Sequence, residues 1–246
     1  MARVAPVVPA ETDILCEKCG YTLSGLPESG NCPECGQPIA ASTIEDRREV
    51  PRWEQSDSPG AVDFLATTLA VVLHPTRFFR SLTTRGQIAP ARRFAGRQWI
   101  ISSILFGSAA FFHADWYVDL NAANRMPLFV KPVILVAMIV ATFYATLGVT
   151  RLAAKLTNWE ATYRGLRMPL VPVMRGMYYH AAHYLPVGFV ALATILGYTQ
   201  LYDFGFLPAS SATTYLYVLC GEVVLGAIYL FQTYWIAMRN MMYANR

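Results

Sequence analysis

The stretch PVILVAMIVATFYATLGVTRL, Pro132–Leu152, contains no charged residue before Arg151. A membrane-spanning helix needs about 20 consecutive, predominantly apolar residues, and this run has them. Three other runs have similar length and composition, at 98–117, 181–201 and 213–238. Together they set the character of the chain, which has 246 residues, 54% of them hydrophobic and 15% charged. A soluble domain carries about 25% charged residues. The composition therefore predicts an all-α polytopic bundle of four transmembrane helices, with shorter helices lying at the interface.

The basic residues orient this bundle. Residues 74–97 carry six Arg or Lys, residues 151–179 carry five, and residues 239–246 add two. The connection between the first two runs has only Arg125 and Lys131, and the connection between the last two has none. The positive-inside rule then places both termini in the cytosol, in a multi-pass protein of the cytoplasmic (inner) membrane. Trp99, Trp116, Tyr117, Tyr184 and Tyr202 fall near the expected interfaces. The net charge of +4 is explained by arginines at an anionic surface, and no nucleic-acid partner is expected.

Upstream of the bundle the chain changes character. Cys16, Cys19, Cys32 and Cys35 form two C-x-x-C pairs, and they account for four of the five cysteines. Gly20 and Gly36 follow the second cysteine of each pair, where a tight knuckle calls for positive φ. Four thiolates suit Zn²⁺, and a module this small needs a metal in order to fold. Residues 14–37 are therefore expected to be a zinc ribbon, with Tyr21, Leu23 and Leu26 as its core and a protein partner as its target. They follow a disordered terminus at 1–13. Iron is the alternative, because "CGY" followed by "CPECG" looks like the rubredoxin signature. However, rubredoxins space the pairs further apart and have aromatic residues between them. The front module also resembles the short zinc ribbons that head many bacterial membrane proteins.

Residues 38–58 are polar and mixed in charge and are expected to be a solvated linker, with a short helix over 42–49. Ser58-Pro59 then looks like a helix start. Val62, Leu65, Leu69 and Val72 share one face of an amphipathic helix over 60–73, too short to span a bilayer. "HPTRFFRSL" is expected to continue it, with Phe78 and Phe79 facing oil. Residues 162–179 contain Pro169, Pro172 and three arginines, and are placed at the interface.

"LHPTRFFRSL" and the later "RGMYYHAAHYLPVGFVALATILGY" resemble the Yip family of multi-span membrane proteins (Ypt/Rab-interacting type), as found in bacteria. The resemblance covers roughly residues 60–240, within an expected membrane domain at 59–246. It implies a non-enzymatic role in membrane organisation or trafficking, with homo-oligomerisation open. No phosphate loop, G-x-S-x-G or H-E-x-x-H occurs, and no catalytic residue is expected.

Four features of the membrane domain bear on function. Glu222 lies within the last run, and a carboxylate there costs about 3 kcal/mol unless it faces protein or water. It raises the alternative of a small transporter or channel, and a match in depth pairs it with His113; the other option is a hydroxyl partner such as Ser108 or Thr142 for each. His180 and His183 share a helix face and could ligate metal or haem, which would make a membrane redox protein, but side chains at an interface beside tyrosines are the commoner case. Asp115 and Asp119 are expected to cap the outer end of the first run, and Cys220 to fill a packing gap.

Overall fold

The structure is a computed structural model that describes residues 9–10, 13–43, 48–83, 87–121, 126–166, 168–207 and 211–245. Its helices are α1 Ala40–Thr43, α2 Ala61–Leu73, α3 Pro75–Ser81, α4 Ile88–Asn121, α5 Lys131–Tyr163, α6 Leu170–His180, α7 Tyr184–Asp203 and α8 Ser211–Met241. Short 3-10 turns lie at Arg52–Glu54 and Ala181–His183. Among the described residues there is no β-strand, only isolated bridges. The all-helical expectation holds.

Three helices are long and apolar enough to cross a membrane: Lys131–Tyr163, the α6–α7 run Leu170–Asp203, and Thr213–Met241. They contain the expected spans at 132–152, 181–201 and 213–238. The expected span at 98–117 lies inside α4, which is not among the three. The physical reason is visible in its sequence, where Ser102, Ser103, Ser108, His113 and Asp115 interrupt the apolar run. Many large side chains of α5 and α8 stand outward, including Val133, Tyr144, Tyr217 and Val223, each more than 60% exposed. Helices this apolar and this open have a nonpolar solvent as their natural surroundings.

The chain divides into two compact units. The first comprises Met1–Ala95, Thr150–Ala182 and Thr233–Arg246. Its core is aromatic. Trp53, Phe64 and Phe94 pack edge to face or tilted, and Phe94 and Phe78 each meet Tyr179. Within this core lies an ion pair that sequence patterning does not show. Arg175 of α6 is fully buried and donates to Glu54 Oε2 at 2.7 Å, to the Gln87 carbonyl at 2.6 Å and to the Thr83 carbonyl at 3.2 Å. The Tyr179 hydroxyl donates to the other oxygen of Glu54. Both carboxylate oxygens are thus occupied, as a buried charge requires.

This arrangement corrects several expectations. Residues 38–58 are not a solvated linker as far as they are described: Ile39, Ser42 and Trp53 are buried, and Trp53 Nε1 donates to the Pro90 carbonyl at 2.9 Å. The helix expected over 42–49 is the single turn of α1, and residues 44–47 lie outside the described part. The cap of α2 is Gly60 rather than Ser58, because the Asp63 carboxylate accepts the Gly60 N–H at 3.1 Å. That bond, together with Arg52, holds the Asp63 carboxyl below its usual value. The apolar face of α2 is as expected, with Val62, Leu65 and Leu69 exposed. Phe79, expected to face oil, is fully buried. Its helix α3 is separated from α2 by a break at His74.

The second unit comprises Gly96–Val149 and His183–Gln232. Here α4 touches the other three helices. A Cβ on Gly107 would lie 2.6 Å from the Ile139 Cα, so the α4–α5 crossing is backbone to backbone. Gly188 of α7 lies against Leu105, and Gly226 of α8 against Val187. Tyr198 and Tyr215 stack at 4.4 Å, with Trp116 edge-on to both. Trp99 and Tyr184, expected in an interfacial belt, are buried in protein. Cys220, expected to pack, is exposed on α8. Asp115 pairs with Lys131 at 2.7 Å instead of capping in solvent, and the side chain of Asp119 lies outside the described part.

Candidate metal centre and an apolar cavity

The metal centre is built from two matching turns. The Cys16 N–H donates to the Tyr21 carbonyl and the Gly20 N–H to the Cys16 carbonyl, both at 2.8 Å. The second turn repeats this with Cys32, Gln37 and Gly36 at 2.8 and 2.9 Å. Gly20 and Gly36 adopt φ of +79° and +71°, which L side chains rarely tolerate. Each turn brings its two cysteines to one side. All four sulfurs lie within 4.8 Å of one another. Cys16 and Cys35 are 3.5 Å apart and Cys19 and Cys32 3.6 Å, too far for disulfides. Four sulfurs on one metal at 2.3 Å stand about 3.8 Å apart, so the four residues fit a tetrahedral ion.

Electrostatics within the cluster are uneven. At Cys19 burial raises the thiol; against a Tyr21 N–H, and with three neighbouring thiols adding to it, the value reaches about 12. At Cys32 burial is outweighed by the N–H groups of Cys35 and Glu34 and by two thiols, and the value falls to about 7. The core of the cysteine module is Leu23 and Ile39 with the buried cysteines, and Leu26 packs against it. Tyr21, expected there, is 40% exposed. Ile39 was missed because it lies beyond the second knuckle, in what reads as linker.

The cysteine module does not hang free. The side-chain amide of Asn245 brackets Leu15, accepting its N–H at 2.8 Å and donating to its carbonyl at 2.6 Å. The same nitrogen donates to the Ser42 carbonyl at 2.9 Å. Arg48 Nε donates to Glu17 at 3.1 Å, with side chains 7% and 10% exposed. The ring of Tyr243 occupies the space a side chain at position 20 would need, a second reason for Gly20.

The second site is a cavity of about 540 Å³ in the second unit, walled mainly by Phe106, Val187, Val190 and Leu219. Three polar side chains reach it: His113, Glu222 and Tyr229. The depth match between His113 and Glu222 thus places both on one cavity, but they do not bond to each other. Thr194 donates to Glu222, and His113 Nδ1 meets the Tyr215 hydroxyl at 2.8 Å. Each finds a hydroxyl, though neither of the two named from sequence. Thr142 donates instead to the carbonyls of Met138 and Ser103 at 2.9 and 3.1 Å. His180 and His183 are buried with separate hydroxyl partners, Thr233 at 3.0 Å and Tyr229 at 2.8 Å. No family model, curated protein or solved structure matches the chain.

Proposed function

We propose that the chain is a four-span, Yip-like integral protein of the inner membrane, carrying a cytosolic zinc ribbon that acts as an adaptor for a protein partner and has no enzymatic role. The observation that carries this is the Asn245 bracket on Leu15. It joins Leu15 and Asn245 within one unit, which supports a reading with both segments on one side of a bilayer and an even number of crossings. Three helices qualify by length and apolarity. The fourth crossing is assigned to α4, whose 34 residues rise about 51 Å. Its polar residues Gln98, Ser102 and Ser103 are buried in protein, so lipid does not meet them. The arginine distribution then puts the shared side in the cytosol, where thiols stay reduced.

Zinc is favoured by the four-thiolate donor set and by the short separation of the pairs. The test combines metal analysis with accessibility. Purified protein is expected to hold one zinc per chain and to be colourless; stoichiometric iron with visible absorption would replace the adaptor reading with the redox one. Tags at either terminus are expected to be protected from an impermeant reagent in intact cells. Labelling of one terminus alone would overturn the even count.

A second reading rests on the cavity around Glu222, the natural place for a small transporter or channel to hold a proton or cation. It requires ion or proton flux in proteoliposomes that Glu222→Gln abolishes. Absence of flux in the unaltered protein would remove it.

A further inference from the structure

A cavity of about 940 Å³ opens within the first unit, and its walls are strongly basic. Five basic side chains reach it, Lys18, Arg48, Arg80, Arg164 and Arg239, against the single carboxylate of Glu17. That carboxylate is already spoken for. Arg48 donates to it at 3.1 Å and is itself fixed by the carbonyls of Leu82 at 3.0 Å and Asn240 at 3.3 Å. Arg164 pairs with Glu160 at 2.6 Å, an exposed pair that competes weakly for its charge. Lys18, Arg80 and Arg239 remain. Among the described residues their side chains make no ion pair or hydrogen bond.

These three come from separate segments. Lys18 sits in the first cysteine knuckle, Arg80 in the last turn of α3 and Arg239 in the last turn of α8. A cation in a last helical turn is favoured by the helix dipole, which accounts for Arg80 and Arg239 one at a time. It does not account for their meeting a ribbon lysine around one hollow, where the like charges repel. Convergent, unneutralised cations on fixed backbone are how proteins receive phosphate.

We propose that this cavity binds a phosphate group bearing two negative charges, with Lys18, Arg80 and Arg239 as its ligands. Phosphate can arrive on a lipid headgroup or free in solution. Trp235 lines the same cavity, is half exposed and lies one helical turn before Arg239 on α8. An aromatic ring beside an arginine is the pairing found at headgroup level, and it favours the lipid. The lipid source rests on the membrane reading above; the phosphate chemistry does not.

The experiment titrates full-length protein in detergent by calorimetry with short-chain phosphatidic acid, inorganic pyrophosphate and short-chain phosphatidylcholine. Phosphatidic acid and pyrophosphate are expected to bind and to compete, and phosphatidylcholine is expected not to bind. Arg80→Ala and Arg239→Ala should each weaken binding about five-fold. Lysine at both positions should retain most of it. Phosphatidic acid binding more tightly than pyrophosphate identifies a lipid source; the reverse order identifies a soluble phosphate. Metal content and melting temperature report whether a variant is folded, and Lys18→Gln serves where an arginine variant is not. Binding of neither phosphate, or equal binding by wild type and the folded variants, overturns the site. Failure of the membrane reading shows separately, as protein that purifies without detergent and still binds pyrophosphate.

Discussion

Single residues carry much of the specificity of this chain, and Arg175 carries the most. It is fully buried, and its bonds end on the Glu54 carboxylate and on the carbonyls of Thr83 and Gln87. Arg175→Met should cost about 3–5 kcal/mol, because the Glu54 carboxylate stays buried without its partner. Adding Glu54→Leu should restore part of that loss. Chemical denaturation in detergent, reading the burial of Trp53, measures both. At Glu222 the expected coupling is to Thr194 and not to His113. A double-mutant cycle of Glu222→Leu with Thr194→Val should show about 0.5–3 kcal/mol of interaction, whereas Glu222→Leu with His113→Leu should be additive within about 0.5 kcal/mol. Coupling to His113 would mean that the carboxylate leaves Thr194 and reaches across the cavity. Neither partner choice was legible beforehand. Sequence gives the depth of a polar residue along its helix, which put Glu222 and His113 on one cavity, but not the rotation of each helix about its axis. That rotation is set by close approaches such as Gly107 on Ile139.

At the level of the element, α4 is the instructive case. Its sequence gives a run like the other three but one that carries serines, and the structure gives the reason: where it contacts α5, α7 and α8 it buries Ser102 and Ser103, while Ile100, Ile101 and Ile104 stay exposed. Small polar residues such as serine are suited to the side of a helix that packs on other helices. Gly107→Leu should therefore be poorly tolerated, since its side chain would enter the α5 backbone, while Gly148→Leu should pass, because nothing lies within 4 Å of that position. Yield of monodisperse protein after detergent extraction separates the two; equal yields would mean the α4–α5 crossing is looser than drawn. The outward-facing helix α8 was legible almost to its ends, whereas α5 runs on to Tyr163, eleven residues past the expected end at Leu152, where charged residues end the apolar run but not the helix. The 38–58 segment was not. Its polar residues look solvated until Trp53 and Glu54 are seen to close the core under α6, and a contact 121 residues away leaves no mark in local composition. The four cysteines were legible in full, because a knuckle is a local structure.

For the molecule as a whole, the four-cysteine module and the C-terminal tail form one assembly. Chelation should therefore be felt at both ends of the chain. Hydrogen exchange of the Leu15 amide should accelerate when metal is stripped, and protection should also be lost around residues 240–245, through Asn245 and Tyr243. Loss confined to residues 14–39 would show that the tail holds without the ribbon. The Arg175 pair has a further consequence, in the order of synthesis. Glu54, Thr83 and Gln87 leave the ribosome before the guanidinium that joins them, and Glu54 leads it by 121 residues. At 5–20 residues per second that interval is about 6–24 s. For that time the carboxylate destined for the core must stay hydrated and the aromatic side chains around it loosely gathered. The first ninety-odd residues are thus translated as a half-built socket. Released early, or expressed alone as a fragment, they would hold a finished metal knuckle attached to a segment still waiting for its key.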